Sequence, residues 1–121
     1  MPRKTTSLEA IATIGIDIGK NTFHLIGLDK MGAIVLRQTL SHGQVNHRLG
    51  NMPPCLVGME ACVEAHHLSR QLREFGHDAR LMPPGMSDPI RKGQKNDFRD
   101  AEAIAEAVLH PTMKFVAIKT V

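Results

Sequence analysis

Tryptophan and tyrosine are absent from this 121-residue sequence and phenylalanine occurs four times, an aromatic share of 3%. So few rings argue against an extended surface that stacks unpaired bases. Cys55 and Cys62 are the only cysteines, and their spacing matches neither a zinc motif nor a disulfide framework. Both are expected as buried thiols of a reducing compartment. No hydrophobic run approaches the length of a membrane span, and Met1 to Ala10 lacks the apolar core of a signal peptide. The expected location is therefore cytoplasmic, without a membrane partner. Internal repeats and low-complexity tracts are missing too, which leaves one compact domain over residues 11–121 behind a flexible start at residues 1–10.

Excess charge is also small. A net charge of +3 and a pI near 9.1 permit a polyanionic partner without demanding one. The placement of the charge says more. Arg91, Lys92, Lys95 and Arg99 crowd the segment around Asp97 and Asp100, and Lys20 follows Asp17 at the first turn. These five cations are candidate contacts to a nucleic-acid backbone.

Four acids stand where the pattern calls for apolar residues. Asp17 closes the run Ile11-Ala-Thr-Ile-Gly-Ile-Asp17, and Glu60 closes Cys55-Leu-Val-Gly-Met-Glu60, so two expected core strands end on a negative charge. The segment from Asp97 to Val108 reads as a helix. At about 100° per residue, Asp97, Asp100, Ala101, Ile104 and Val108 share one stripe, with Glu102 and Glu106 opposite. Acids in a first helical turn interact favourably with the helix dipole, which accounts for Asp97 and Asp100 alone and leaves the strand-end acids unexplained. A buried carboxylate is costly unless a cation shares its site. Asp17, Glu60, Asp97 and Asp100 are therefore the candidate metal-binding and catalytic set.

Residues 11–18 read as a strand, Gly19 to Asn21 as a turn, and Thr22 to Leu28 as the second arm of a hairpin. Gly15, Gly19 and Gly27 do not form a dinucleotide-binding fingerprint and are expected to serve that hairpin. Asp29 to Gly32 supplies another turn and Ala33 to Gln38 a third strand. Ser41 is a candidate cap for a helix to about Leu49, and Pro53-Pro54 forces the chain to extend into the strand ending at Glu60. Ala61, Ala65, Leu68, Leu72 and Phe75 recur at helical spacing before the stop at Gly76, and Asp78 to Met82 resumes as a strand. With the helix from Asp97, this order predicts an α/β, ribonuclease H-like mixed sheet with helices on its faces.

The blocks Gly15-Ile-Asp17-Ile-Gly-Lys20, Gly58-Met-Glu60-Ala-Cys62, Ala65-His66-His67, Gly76-His77 and Lys95-Asn-Asp97-Phe-Arg-Asp100-Ala-Glu-Ala103 resemble, in order and spacing, the DEDD transposases of bacterial insertion sequences, relatives of the Piv-type invertases. The resemblance runs from about residue 11 to the end. It implies a RuvC-type catalytic domain whose four acids fall on Asp17, Glu60, Asp97 and Asp100. It also implies DNA as the substrate, an element-encoded guide RNA in some members, self-association of the complete protein, and a C-terminal region with a serine nucleophile. Nothing in this chain corresponds to that region, so an N-terminal fragment is expected. The loop Gly85-Met-Ser-Asp-Pro-Ile90 is less basic and less aromatic than the resemblance leads one to expect.

Oxygen-only ligands favour magnesium or manganese over zinc. Two such ions roughly 3.5 to 4 Å apart would stabilise the attacking and leaving oxygens of a phosphoryl transfer. Asp17, on a central strand, is the expected bridging ligand, with Glu60 and Asp100 completing the shell and Asp97 holding a second ion or positioning a water or hydroxyl. Two other readings compete. The hairpin Gly15-Ile-Asp17-Ile-Gly19 followed by Lys-Asn-Thr22 resembles the phosphate cradle of actin and sugar-kinase phosphotransferases, though this leaves Asp97 and Asp100 unexplained. A non-catalytic nucleic-acid-binding module is the other. Cys62 and His66 have the spacing of two helical metal ligands but lack further partners for zinc, so His66 and His67 are expected as packing or surface residues. Ser41, Ser69 and Ser87 lack a nucleophile motif and are assigned capping and loop roles.

Overall fold

A computed structural model describes residues 10–84 and 98–120. Strand β1 (Thr13–Ile18) and strand β2 (Thr22–Leu28) form the first hairpin, with the Gly19 amide donating to the Thr22 carbonyl at 2.9 Å. The second turn is held by Asp29, whose Oδ1 accepts from the Met31 and Ala33 amides at 2.9 Å each, while Gly32 takes a φ of 88°. Strand β3 (Ile34–Ser41) then pairs with β2 as far as Thr22↔Ser41, three residues beyond the expected end at Gln38. No turn residue interrupts Thr39-Leu40, so the ladder continues until the next helix is capped.

That cap is a capping box. The Gln44 amide donates to Ser41 Oγ at 3.3 Å and the Ser41 amide donates to Gln44 Oε1 at 3.0 Å, opening α1 (His42–Gly50). Strand β4 (Leu56–Glu60) follows, and α2 (Val63–Glu74) ends on Gly76 at φ 97°. There the Gly76 amide donates to Arg73 and the His77 amide to Leu72, the paired bonds that close a helix through a left-handed glycine. Strand β5 (Asp78–Met82) and helix α3 (Arg99–Val108) complete the order. Beyond α3 the chain returns along β5, where the Val116 amide donates to the Leu81 carbonyl at 2.8 Å. Among the described residues, no helix is long and apolar enough to cross a membrane.

The five strands lie in the order β3-β2-β1-β4-β5, antiparallel through the meander and parallel from β1 to β4 to β5. This is the mixed, ribonuclease H-like sheet that the element order predicts. Strand alternation sends Ile14, Ile16, Phe23, Leu25, Val57, Met59 and Leu81 to one face, where Val45 and Leu49 of α1 and Leu68 and Leu72 of α2 cover them. The opposite face carries α3. There Ala101 and Ala105 pack on Ile26 and Leu28, and Ile104 and Val108 pack with Met82.

Close approach of α3 explains two glycines. Gly15 and Gly58 are register partners on β1 and β4. A Cβ on Gly15 would collide with the backbone of Ala101 and Ala105, and one on Gly58 would stand 2.7 Å from Val108 Cβ. Gly15 therefore serves helix packing, not the hairpin expected of it. Gly27 also lies inside β2, where a Cβ would meet Leu36 Cβ at 2.9 Å, so it too serves packing.

His77 is the buried polar joint of the opposite half. Its Nδ1 accepts from the Cys55 amide at 3.1 Å and its Nε2 lies 2.7 Å from the Leu49 carbonyl, which places the proton on Nε2. One ring thus ties the end of α1 and the start of β4 to the start of β5. His77→Phe removes both bonds while keeping the ring volume, so urea denaturation should show a loss of about 2 kcal/mol.

Candidate active site

Asp17 and Glu60 are the residues that follow the last paired positions Ile16↔Met59 of two parallel strands, so they stand side by side at the C-terminal edge of the sheet. Each lies two residues beyond one of the packing glycines, Gly15 and Gly58, and alternation therefore puts both on the α3 face. Asp100 occupies the first turn of α3, the helix that covers this face. Sheet and helix thus bring three of the four candidate acids to one face and one edge. Asp97 lies outside the described residues.

Asp17, Glu60 and Asp100 are half-buried, not buried as the sequence pattern suggests. The strand ends and the first turn of α3 lie at the rim of the core, where solvent reaches one side. Among the described residues, no three His, Cys, Asp or Glu side chains converge closely enough to hold a metal ion. Glu102 is half-buried and Glu106 exposed. Buried Ala103 and Ala105 make the inward face of α3 wider than the expected stripe.

Of the candidate cations, Lys20 is exposed in the β1–β2 turn at the same edge and Arg99 is half-buried at the first residue of α3. Arg91, Lys92 and Lys95 lie outside the described residues, as do the Gly85 to Ile90 loop and Ser87.

The structure adds a group that sequence reasoning missed. His24 is the register partner of Asp17 on β2 and shares the α3 face with Ile26. Its ring meets the edge of Phe98 at 5.3 Å and 88°, while the Arg37 guanidinium from β3 lies 5.8 Å from the same Phe98 ring. His24 and Arg37 thereby seat the residue that caps α3, and with it the turn carrying Asp100. The alternation Thr22-Phe-His-Leu-Ile places His24 on that face, but only the hairpin register puts it opposite Asp17.

The two cysteines differ from expectation and from each other. Cys62 is exposed at the N-terminal boundary of α2. Cys55 is half-buried, and burial pushes its thiol up to about 11. A thiol raised from 9.0 to about 11 stays protonated in the fold between those values while the unfolded chain ionises, so its contribution to stability is lost as pH rises through that window. At pH 8, iodoacetamide should label Cys62 at least tenfold faster than Cys55, read by peptide mass spectrometry. Ser69 is likewise no loop or cap residue, because it is buried within α2. His66 accepts from the Lys119 amide at 3.0 Å and helps hold the C-terminal segment, while His67 is exposed.

A five-stranded ribonuclease H-like sheet, two carboxylates ending adjacent parallel strands and a third on the covering helix define the class: an α/β domain with an acidic edge. Residues 14–120 match the family of IS110-type DEDD transposases, described as transposase, and the chain belongs to that family. It is 44% identical over 110 residues to a probable family 20 transposase of Pseudomonas aeruginosa, an alignment covering 91% of this chain and 32% of that protein. It is also 44% identical over 110 residues to the transposase for insertion sequence element IS1328 of Yersinia enterocolitica, covering 91% and 33%. The transposase for insertion sequence element IS1111A of Coxiella burnetii is 34% identical over 119 residues, covering 98% and 33%. The chain thus spans about a third of the length of these curated relatives.

Proposed function

We propose that this chain is the catalytic domain of a DNA transposase in which Asp17, Glu60, Asp97 and Asp100 hold magnesium or manganese for phosphoryl transfer on DNA during movement of an insertion sequence. The observation that carries the reading is the pairing of β1 with β4, which sets Asp17 beside Glu60 on the face covered by α3. The chemistry of the four carboxylates suits a hard divalent cation, and Asp17, Glu60 and Asp100 are half-buried at an open edge where an ion could draw them together beside a phosphate. A bound ion would neutralise the charge that develops on the phosphate oxygens.

The chain's own residues divide the remaining work. Asp17, on the central strand, offers the stiffest support. Asp100 depends on how α3 is seated, which the His24, Phe98 and Arg37 contacts determine. Lys20 and Arg99, with Arg91, Lys92 and Lys95, supply positive charge for the phosphate backbone. The reading extends to partners of the complete protein: DNA as substrate, an element-encoded RNA, and a second copy.

Titrating this chain with Mn2+ tests the site directly. Paramagnetic broadening should centre on Asp17, Glu60 and Asp100 and disappear in Asp17→Asn. Scattered broadening, or broadening unchanged by that substitution, would overturn the shared metal site.

A further inference from the structure

The segment that follows α3 does more than return along β5. Val116 and Ile118 pack against the core on the sheet face covered by α1 and α2, and Lys119 and Thr120 then close a groove against α2. The groove has a volume of about 790 Å³ and starts at Ala61, the residue after Glu60. Two hydrogen bonds hold its walls together. Arg70 Nη1 donates to the Lys119 carbonyl at 2.6 Å, and the Lys119 amide donates to His66 Nδ1 at 3.0 Å.

Those bonds leave donors for the groove. Because His66 Nδ1 accepts, the neutral ring carries its proton on Nε2. Lys119 is bound through its backbone alone, so its ammonium stays available, and Arg70 keeps the rest of its guanidinium donors. Neither cation is in an ion pair with a described residue, and none of these nitrogens is sealed from solvent without a partner. Glu64 is the one acid among the described residues that line the groove, and His42 Nδ1 engages its Oε2 at 3.2 Å. Arginine, lysine and an imidazole N–H around one open groove are complementary to phosphate.

Position decides what kind of phosphate. The acids lie on the α3 face and the groove on the α2 face, joined over one sheet edge by Ala61. A strand that reaches both must turn over that edge within a few nucleotides. Duplex DNA, stiff over about 50 nm, does not follow so tight a path, whereas a single strand does. We infer that the groove holds the phosphates of an unpaired stretch of the DNA strand, next to the phosphate bound at the acids. The choice of DNA rests on the transposase reading, whereas the charge of the groove and its place beside Glu60 do not. So few aromatic rings exclude holding this strand by stacking, and binding therefore falls on the phosphates and is blind to sequence.

NMR titration of this chain with a single-stranded DNA decamer should shift the His66, Arg70 and Lys119 signals, and the blunt duplex of the same sequence should bind at least fivefold more weakly there. Lys119→Gln leaves both backbone bonds in place. It should weaken decamer binding about threefold to tenfold for mixed and all-thymine sequences alike, and reduce the slope of log K against log salt by about 0.7, the share of one phosphate contact. Arg70→Lys should keep the slope and Arg70→Gln should reduce it, which separates charge from the bond to the Lys119 carbonyl. Absence of shifts at the groove, an unchanged salt slope in Lys119→Gln, or duplex binding equal to single-strand binding would overturn the inference. Tighter binding of the matching RNA decamer at these residues would overturn the choice of DNA. Mn2+ broadening at Asp17 should persist in Lys119→Gln, so failure of the groove with that broadening intact counts against the groove alone. Loss of Mn2+ broadening in the unmodified chain would instead count against the transposase site.

Discussion

Replacing Gly15 by alanine is expected to cost about 3 kcal/mol or more, a large fraction of the roughly 5 to 15 kcal/mol by which a domain is ordinarily stable. The reason is geometric. The new methyl group would collide with the backbone of Ala101 and Ala105, and a backbone in the middle of a helix cannot step aside as a side chain can. The helix would have to lift from β1, opening its contacts with Ile26 and Leu28 and shifting the turn that carries Asp100. Gly58→Ala provides the internal comparison, because its methyl meets the Val108 side chain instead. Gly58→Ala should therefore cost about 1 to 3 kcal/mol. Val108→Ala should recover about 1 kcal/mol of that in a double-mutant cycle, whereas no single side-chain truncation on α3 should rescue Gly15→Ala. Urea denaturation measures all of these. An additive cycle for Gly58 and Val108 would show that α3 does not rest on the sheet as described. If the proposed metal site is right, Gly15→Ala should also weaken Mn2+ binding, since it moves α3, which carries Asp100, relative to the strands that carry Asp17 and Glu60.

The second large effect concerns the acids. In the complete transposase, Asp17→Asn or Asp100→Asn should lower recombination about a thousandfold, equivalent to roughly 4 kcal/mol of lost transition-state stabilisation. The amide keeps the shape of the side chain and removes the charge, so thermal stability should change little. Glu102→Gln should stay within about threefold of the unmodified protein, because that acid lies on the other side of α3. Equal damage from Glu102→Gln would contradict the shared-face arrangement. Full activity of Asp17→Asn would remove the metal mechanism altogether.

Much of this architecture was legible in the sequence because its signals are local. Ser41 and Gln44 carry their capping box within four residues. Gly76 ends α2 because the left-handed position there suits glycine, and Thr22 to Leu28 and Asp78 to Met82 are strands with the expected bounds. Asp17 and Glu60 stood out because each ends an apolar run, and the structure sets those two ends side by side. Less legible was anything that depends on what lies across a gap. The exposure of Cys62 depends on its place at the boundary of α2, and Ser69 is buried because its helical face meets the sheet side of the domain. Half-burial of the acids likewise reflects their position at the rim, which a strand pattern cannot locate along the strand axis.

The sequence alone determined the order of strands and helices, the caps and turns between them, and the identity of the acids that end two strands, because each follows from the preferences of a few neighbouring residues. Tertiary structure alone decided that Gly15 and Gly58 form one floor for α3, that His24 stands opposite Asp17 beneath Phe98, and that His77 joins the end of α1 to the start of β4. Those outcomes depend on strand register and helix placement. Both are selected by packing energy summed over residues far apart in the chain, so no short stretch of sequence contains them.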